Sequence, residues 1–370
     1  MSSDPASRTG AILEIDLGGI VANWRLLAQK AAPAACAAVV KANAYGLGAA
    51  PVAQALAAAG CRLFFVATLD EGIALRGALG RGPEIAVFNG VLPGTAAEFA
   101  PHRLIAVLND PAQIEAWKSQ PGLPAILHVD TGMSRLGLIA REFAALAGDL
   151  PKCGIAWRAV ISHLACTDTP DHPLNEQQRT RFAAAAQRLP GVPASLAASS
   201  GIFLGPPYHF DLVRPGAALY GVNPQPGHPN PLRQVVRLSG KILQVREIDR
   251  GESVGYGAAH VMETAGRVAT VAVGYADGWL RSLSHRGCGY LAGKRIPLLG
   301  RVSMDLVTFD VSAVDPALAH PGAVVELLGA NYGVDDAATD AGTIGYEILT
   351  ALGARYYRIY RDPAATNDPE

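Results

Sequence analysis

The chain has 370 residues, half of them hydrophobic, which is long for one domain and sufficient for two. Its 31 basic and 32 acidic residues give a net charge of −1 with no basic block, which disfavours nucleic acid and anionic membranes as partners. The sequence has five scattered cysteines without a C-x-x-C pair, no signal-peptide pattern and no apolar stretch of membrane-spanning length, so it predicts a cytoplasmic protein without a disulfide framework or metal site.

Between residue 12 and about residue 233, short apolar runs alternate with helical patterns. Eight runs are strand candidates: Ala38–Lys41, Leu63–Ala67, Ile85–Phe88, Leu104–Leu108, Ile126–Val129, Ala159–His163, Ser195–Ala198 and Phe210–Val213. Helix starts are indicated at Asp70-Glu71 and Asp110-Pro111, where an acid or a proline stands in the first turn. The alternation predicts an eight-stranded, TIM-like α/β barrel over residues 11–233. A doubly wound open sheet is the alternative, disfavoured because no G-x-G-x-x-G follows the first strand.

The pattern changes after about residue 233, near the proline-rich segment Asn223–Pro229. Four strand patterns follow with turns between them and few helices: Val235–Asp249, Arg267–Val273, Tyr290–Leu299 and Val307–Val311. The sequence therefore predicts a mostly-β C-terminal domain over residues 234–370. We expect the first ten residues to associate with it.

Lys41 is one of six lysines and ends the apolar run Ala37–Val40. Partial burial lowers the pKa of an amine and makes it a nucleophile toward carbonyls, as a Schiff-base lysine must be. A surface lysine that happens to follow a strand explains this position equally well when it is taken alone.

The chemistry of a βα-barrel lies at the carboxyl ends of its strands, and here those ends carry several polar side chains. His163, Ser200 and Arg214 follow strand candidates six, seven and eight. Each has a simpler explanation, as a core histidine, a helix cap or a rim salt bridge. Together with Lys41 they predict a site for a phosphate-bearing aldehyde such as pyridoxal phosphate (PLP), with Ser200 and Gly216 at the phosphate.

Longer motifs around these residues resemble those of alanine racemase, a PLP-dependent enzyme family of the barrel type. They are VVKANAYG at Lys41, DTGMSRLG at Arg135, SH at His163, VRPGAALYG at Arg214, VGYG at Tyr256, VGYADG at Tyr275, SMD at Met304 and TIGYE at Tyr346. The motifs follow the family's order from about Ile12 to Tyr360. The resemblance implies a cytoplasmic homodimer with shared active sites that interconverts L- and D-alanine, either to supply D-alanine for peptidoglycan or to degrade it.

The resemblance also implies residue roles. Lys41 carries PLP as an aldimine and is one of two catalytic bases, and Tyr256 of the partner subunit is the other, on the opposite face of the substrate. The remaining implied roles are phosphate binding by Tyr45, Ser200, Gly216 and Tyr346, pyridine-nitrogen binding by Arg214, ring packing by His163, substrate binding by Arg135 and Met304, and lining of the entry path by Asp168, Tyr275, Arg281 and Arg301.

The chain departs from the family pattern at three positions. His128 stands where many members carry a lysine that becomes carbamylated and positions Arg135. Histidine cannot form that carbamate, so the sequence predicts that a bound anion or another side chain orients Arg135. Ser199 and Ser303 replace the commoner Asn and Cys.

Three other functions are compatible with parts of this pattern. A PLP-dependent decarboxylase of basic amino acids shares the architecture, but it needs a cysteine motif in the β half that the surroundings of Cys288 do not match. A single-barrel PLP-binding protein would lack the β domain. A serine or broad-specificity racemase stays open, because one methylene changes the discrimination of a pocket by only ~1–3 kcal/mol.

Overall fold

The computed structural model describes residues 5–362 and divides into two compact units. The α/β unit comprises residues 20–233, and the β unit comprises the described residues up to Gly19 and from Gln234 onward. The chain begins with helix α1 (Pro5–Arg8), strand β1 (Ala11–Asp16) and helix α2 (Leu17–Ala31). Residues 11–19, which the sequence prediction assigned to the barrel, lie in the β unit because β1 pairs within the sheet of that unit.

The α/β unit is built on a ring of parallel strands. They are β2 (Ala35–Cys36), β3 (Ala38–Val39), β4 (Leu63–Val66), β5 (Glu84–Val87), β6 (Ile105–Leu108), β7 (Pro124–His128), β8 (Ala156–Ile161), β9 (Ala194–Ser195) and β10 (Leu212–Val213). Strands β3 to β9 form a seven-stranded sheet in chain order. Strands β2 and β3 are separated only by Ala37 and occupy one position in the ring. The short β10 takes the eighth position and closes the ring, since it pairs with β2 and a bridge joins Ala198 to Arg214. The prediction of a TIM-like barrel is confirmed.

Helices follow the strands of the ring: α3 (Lys41–Tyr45), α4 (Ala49–Ala58), α5 (Leu69–Leu79), α6 (Pro111–Trp117), α7 (Ala140–Leu146) and α8 (Pro173–Ala186). Strands β4 and β6 are buried at every position, as in a parallel sheet that is covered on both faces. Asp110 caps α6 as predicted, whereas the cap of α5 is Thr68, which precedes the predicted Asp70-Glu71. No helix within residues 5–362 is long and apolar enough to cross a membrane.

The β unit contains β11 (Val236–Ile248), β12 (Ser253–Val254), β13 (His260–Val261), β14 (Gly266–Val271), β15 (Cys288–Leu291), β16 (Lys294–Leu299), β17 (Val307–Asp310), β18 (Val324–Leu328) and β19 (Tyr357–Arg361), with helices α9 (Val334–Ala341) and α10 (Gly345–Ala351). The long β11 pairs with both β14 and β18, so six antiparallel strands close into a barrel. Strand β1 joins β11, and β19 joins β1 in parallel. The mostly-β prediction for this half is confirmed.

Candidate active site

Lys41 begins an unusual backbone turn directly after β3. The next four residues, Ala42 to Tyr45, all have φ between 51° and 54°, the left-handed region. For residues with a side chain this conformation costs roughly 1–2 kcal/mol each. Strained backbone of this kind persists only where surrounding contacts fix it, and it is concentrated at functional sites. The turn therefore marks the surroundings of Lys41 as a candidate site on structural grounds alone.

The amine of Lys41 is electrostatically perturbed. Burial lowers its pKa below the ordinary value, the guanidinium of Arg135 lowers it further, and the carboxylate of Glu71 opposes both. Its Nζ atom lies 5.9 Å from the centroid of the Phe88 ring. A lowered pKa increases the unprotonated fraction, which is the form that attacks a carbonyl carbon.

Arg214, after β10, is a buried cation with a side chain only 2% exposed. Its Nη1 donates to the carbonyl oxygen of Ser195 at 2.9 Å, and its Nη2 donates to that of Ser162 at 2.6 Å. Within residues 5–362 no carboxylate forms an ion pair with it. Burial lowers its pKa to about 10, so it stays protonated at neutral pH. The rim thus holds a rigid positive charge that is neutralised by no side chain of the described chain.

Gly216 and Tyr45 lie together at the same rim. A Cβ atom at Gly216 would lie 2.3 Å from the hydroxyl oxygen of Tyr45, so only glycine leaves room there. The N–H groups of Gly216 and Ala218 both donate to Oγ of Ser199, at 3.0 and 3.1 Å. Ser200 follows Ser199 and begins a short helical segment. The predicted phosphate residues of this unit are thus brought together, and Ser199 organises them although the sequence prediction noted it only as a departure.

Two histidines near the rim are held neutral. Burial and, after it, the charge of Arg214 lower the pKa of His163 to about 3 and that of His128 to about 4. His128 Nδ1 lies 2.8 Å from Oδ1 of Asn109. Since Nδ2 of Asn109 donates to the Phe88 carbonyl, Oδ1 accepts and Nδ1 of His128 carries the proton.

The low pKa of His128 has a consequence for stability. The pKa of an unfolded histidine is about 6.5, so below that pH His128 binds a proton in the unfolded chain but not in the folded chain until about pH 4. Stability therefore falls as the pH falls through this window, by at most about 2 kcal/mol between pH 7 and pH 5 for this group. Urea unfolding at both pH values should give a smaller difference for His128→Gln than for wild type. His228→Gln, an exposed control, should leave the difference unchanged; an equal change in both variants would contradict the assignment.

Arg135 is positioned by its loop. Oδ1 of Asp130 accepts the N–H groups of Gly132 and Met133, both at 2.9 Å, and a bridge between Val129 and Leu138 closes the loop. The Arg135 side chain is exposed, and we find no hydrogen bond or ion pair from it to the rest of residues 5–362. His128 bonds to Asn109 instead. The backbone of this loop fixes the position of the Arg135 main chain, and orientation of its guanidinium by an anion or another side chain stays a prediction.

In the β unit, Tyr256 stands in a short turn with 72% of its surface exposed. The next residue, Gly257, has φ 70°, and a Cβ atom there would lie 3.0 Å from Nη1 of Arg301. The guanidinium of Arg301 therefore lies beside the turn that contains Tyr256. Tyr346, the second residue of α10, is also partly exposed, at 39%.

Tyr275 and Met304 lie on two loops that are joined. The N–H of Tyr275 donates to the carbonyl of Ser303, and the N–H of Ala276 to that of Met304, both at 2.9 Å. Arg355, which the sequence prediction missed, fastens the same two loops from outside. Its Nε lies 2.6 Å from Oδ1 of the buried Asp277, and its Nη1 lies 2.7 Å from Oδ1 of Asp305.

The predicted residues thus separate between the two units. The α/β unit holds Lys41, Tyr45, Arg135, His163, Asp168, Ser200, Arg214 and Gly216, and the β unit holds Tyr256, Tyr275, Arg281, Arg301, Met304 and Tyr346. Asp168 lies exposed in a loop whose carbonyls are bonded by Nδ2 of Asn175. Arg281 begins a short helical segment. The residues that the structure describes contain no group of three or more potential metal ligands.

Comparison with known proteins identifies the family. The model of the alanine racemase N-terminal domain matches residues 15–224, and that of the C-terminal domain matches residues 235–360. The chain belongs to the alanine racemase family. Alanine racemase of Rhodospirillum rubrum is 54% identical over 360 residues, which cover 95% of the chain and 96% of that relative. A catabolic alanine racemase of Mesorhizobium japonicum is 53% identical over 357 residues, covering 95% and 93%.

Solved structures agree with this assignment. The crystal structure of Bartonella henselae alanine racemase with covalently bound pyridoxal phosphate superposes with a TM-score of 0.92 at 43% identity, and covers 95% of this chain and 100% of that one. Alanine racemases are PLP-dependent isomerases, so the predicted enzyme class and cofactor are confirmed. The residues present fit PLP, because an amine of lowered pKa, a buried guanidinium and the close approach of Gly216 to the Tyr45 hydroxyl lie on one rim.

Proposed function

We propose that this member of the alanine racemase family interconverts L- and D-alanine with two bases, Lys41 and Tyr256 of the partner subunit, in a homodimer. The proposal rests mainly on the surroundings of Lys41. This residue follows a buried strand, begins a left-handed turn and has an amine of lowered pKa. We further propose that residues 20–233 form the PLP domain and that the β unit supplies the second base.

PLP, when bound, withdraws electrons from the substrate and makes its Cα–H acidic. Lys41 would hold the cofactor covalently, and Tyr45, Ser200, Gly216 and Tyr346 would bind its phosphate. Two further residues would contact the ring, His163 through its face and Arg214 through the pyridine nitrogen.

The charge of Arg214 restricts the reaction type. Its pKa of about 10 keeps the guanidinium protonated, so it would donate a hydrogen bond to the pyridine nitrogen of PLP without giving up its proton. An unprotonated pyridine nitrogen withdraws fewer electrons than a protonated one. This arrangement favours return of the proton to Cα, as racemisation requires, over transamination.

Racemisation requires removal of a proton on one face of Cα and its return on the other. We assign one face to the amine of Lys41 and the other to the hydroxyl of Tyr256. The high exposure of Tyr256 supports a role toward a second chain. Arg135 and the backbone N–H of Met304 would hold the substrate carboxylate. The entry path would be lined by Asp168, Tyr275, Arg281 and Arg301.

One series of measurements tests the bound cofactor, the reaction and the preferred substrate in turn. The visible absorbance of the purified protein is recorded before and after borohydride, and the modified peptide is identified by mass spectrometry. Alanine, serine and lysine are then incubated with the enzyme and their D and L forms are separated. We expect borohydride to fix PLP on Lys41 and alanine to racemise fastest; no trapping at Lys41, or faster racemisation of serine, would contradict the proposal.

Arg355 provides a test of the substrate end of the site. Arg355→Lys cannot bond to Asp277 and Asp305 together, so the loop that carries Met304 should shift. We expect KM for alanine to rise about tenfold with a smaller change in kcat. Arg361→Lys is the matched control, because Arg361 pairs with Glu14 through an exposed guanidinium. An unchanged KM in Arg355→Lys would show that this pair does not position Met304.

A further inference from the structure

The left-handed turn after Lys41 is bonded to a carboxylate from another element. The N–H of Ala42 donates to Oε1 of Glu71 at 2.7 Å. The other oxygen, Oε2, accepts the N–H groups of Ala67 at 2.8 Å and Thr68 at 3.3 Å. One side chain therefore connects the turn after β3 with the end of β4 and the start of α5.

Helix capping explains only half of this arrangement. Glu71 and Thr68 form a capping box at the start of α5, which occupies Oε2. A capping box gives no reason for the short bond from Ala42 to Oε1. Hydrogen bonds to a carboxylate are roughly twice as strong as neutral ones, and this one satisfies the first N–H of a strained turn.

The N–H of Ala42 needs a partner from outside the turn, because the N–H groups that donate within the turn come later in the chain. Inside it, the N–H of Ala44 reaches the carbonyl of Val40, and that of Gly46 reaches the carbonyl of Ala42, both at 2.8 Å. Neither of these bonds uses the N–H of Ala42 as a donor. The bond to Glu71 therefore satisfies the N–H of the peptide that follows Lys41.

Glu71 also acts on the amine itself. Three charged or titratable groups surround Lys41 in the α/β unit: Arg135, Glu71 and His163. Arg135 disfavours the ammonium form, and His163 is neutral because burial lowers its pKa to about 3. The carboxylate of Glu71 is the group among them that favours the ammonium form.

We propose that Glu71 is a positioning residue for Lys41, which fixes the left-handed turn through Oε1 and balances the charge of Arg135 on the amine. The inference rests on the proposed role of Lys41. The proposal makes two claims that can be tested separately. The length of the Glu71 side chain holds the turn, and the charge of its carboxylate acts on the Lys41 amine.

The charge is tested on the full-length protein after the cofactor is removed with hydroxylamine. Lysines are reductively methylated with formaldehyde and cyanoborohydride over a range of pH, and the extent of labelling at each site is read by peptide mass spectrometry. The other five lysines are internal references. In Glu71→Gln we expect the pKa of Lys41 to fall further below that of wild type, because the one opposite charge that raises it is lost. Glu98→Gln, an exposed control in the same unit, should leave it unchanged.

The span is tested by hydrogen exchange on the protein as purified. Glu71→Asp keeps the charge but is one methylene shorter, so it cannot reach Ala42 and Ala67 together. We expect the amide of Ala42 to exchange at least about tenfold faster than in wild type. If Glu71→Gln does not fold, this variant alone decides the proposal.

Two results would contradict the proposed role of Glu71. An unchanged pKa of Lys41 in Glu71→Gln, or unchanged exchange at Ala42 in Glu71→Asp, together with a lower melting temperature, would reduce Glu71 to a cap of α5 and overturn the proposal. Failure of the proposed function is a different result, because wild-type protein would then show no borohydride trapping at Lys41.

Discussion

Lys41→Ala is expected to abolish covalent attachment of PLP and to lower kcat/KM for alanine by at least about 10⁴-fold. The variant loses both the amine proposed to hold the cofactor and one of the two groups proposed to move the Cα proton, and a positioned general base alone is worth roughly 10²–10⁴-fold. The measurements are the visible absorbance of the purified protein, peptide mapping after borohydride, and racemisation in both directions.

Lys30→Ala is the control for this change, because Lys30 lies in the same unit over the ring of Phe203. It should keep wild-type absorbance and wild-type activity. If Lys41→Ala still carried borohydride-trapped PLP at another lysine and racemised alanine normally, the assignment of Lys41 would be wrong.

Tyr256→Phe is expected to keep the absorbance of the bound cofactor and to lose racemisation by about 10³-fold in both directions. Only a hydroxyl is removed, so the fold and the α/β unit should be unaffected. In D₂O the two enantiomers should differ. The one whose Cα–H faces Lys41 should still exchange its proton for deuterium, whereas the other should not.

Tyr290→Phe, elsewhere in the β unit, should behave as wild type in both measurements. Loss of exchange in both enantiomers of Tyr256→Phe would indicate that Tyr256 is needed for binding rather than as a base. Racemisation of both enantiomers at wild-type rates would exclude it from the reaction.

The barrel was predictable because strands β4 and β6 are buried along their whole length and strands β5 and β7 over most of theirs. Runs such as Leu63–Val66 and Ile105–Leu108 are continuously apolar, and the chain between Leu63–Val66 and the next strand, Glu84–Val87, has room for one helix, α5. The rim residues could then be found, since they follow those runs directly. Strand β1 pairs in the sheet of the β unit, and its residues Ala11–Asp16 alternate buried and half-buried positions there, which is typical of an antiparallel sheet.

Other parts of the site have no local signature. Residues 42–45 contain no glycine, so nothing in the sequence indicates four left-handed residues there, and tertiary contacts decide their conformation. Arg355 meets Asp277 and Asp305 across 78 and 50 residues, a separation that no periodicity records. The role of Ser199 depends on the path of the chain after β10, which residue spacing does not determine.

The shortest pairing that closes the barrel lies next to two proposed cofactor-binding residues, within the five residues 212–216. Strand β10 is only two residues long, and Arg214 and Gly216 follow it immediately. A ligand bound by both this segment and Lys41, which follows β3, would connect the last strand of the ring to the first. By mass action, such a ligand adds RT ln(1 + [L]/Kd) to the free energy of keeping the ring shut. The seam should therefore open most readily in enzyme that has lost its cofactor.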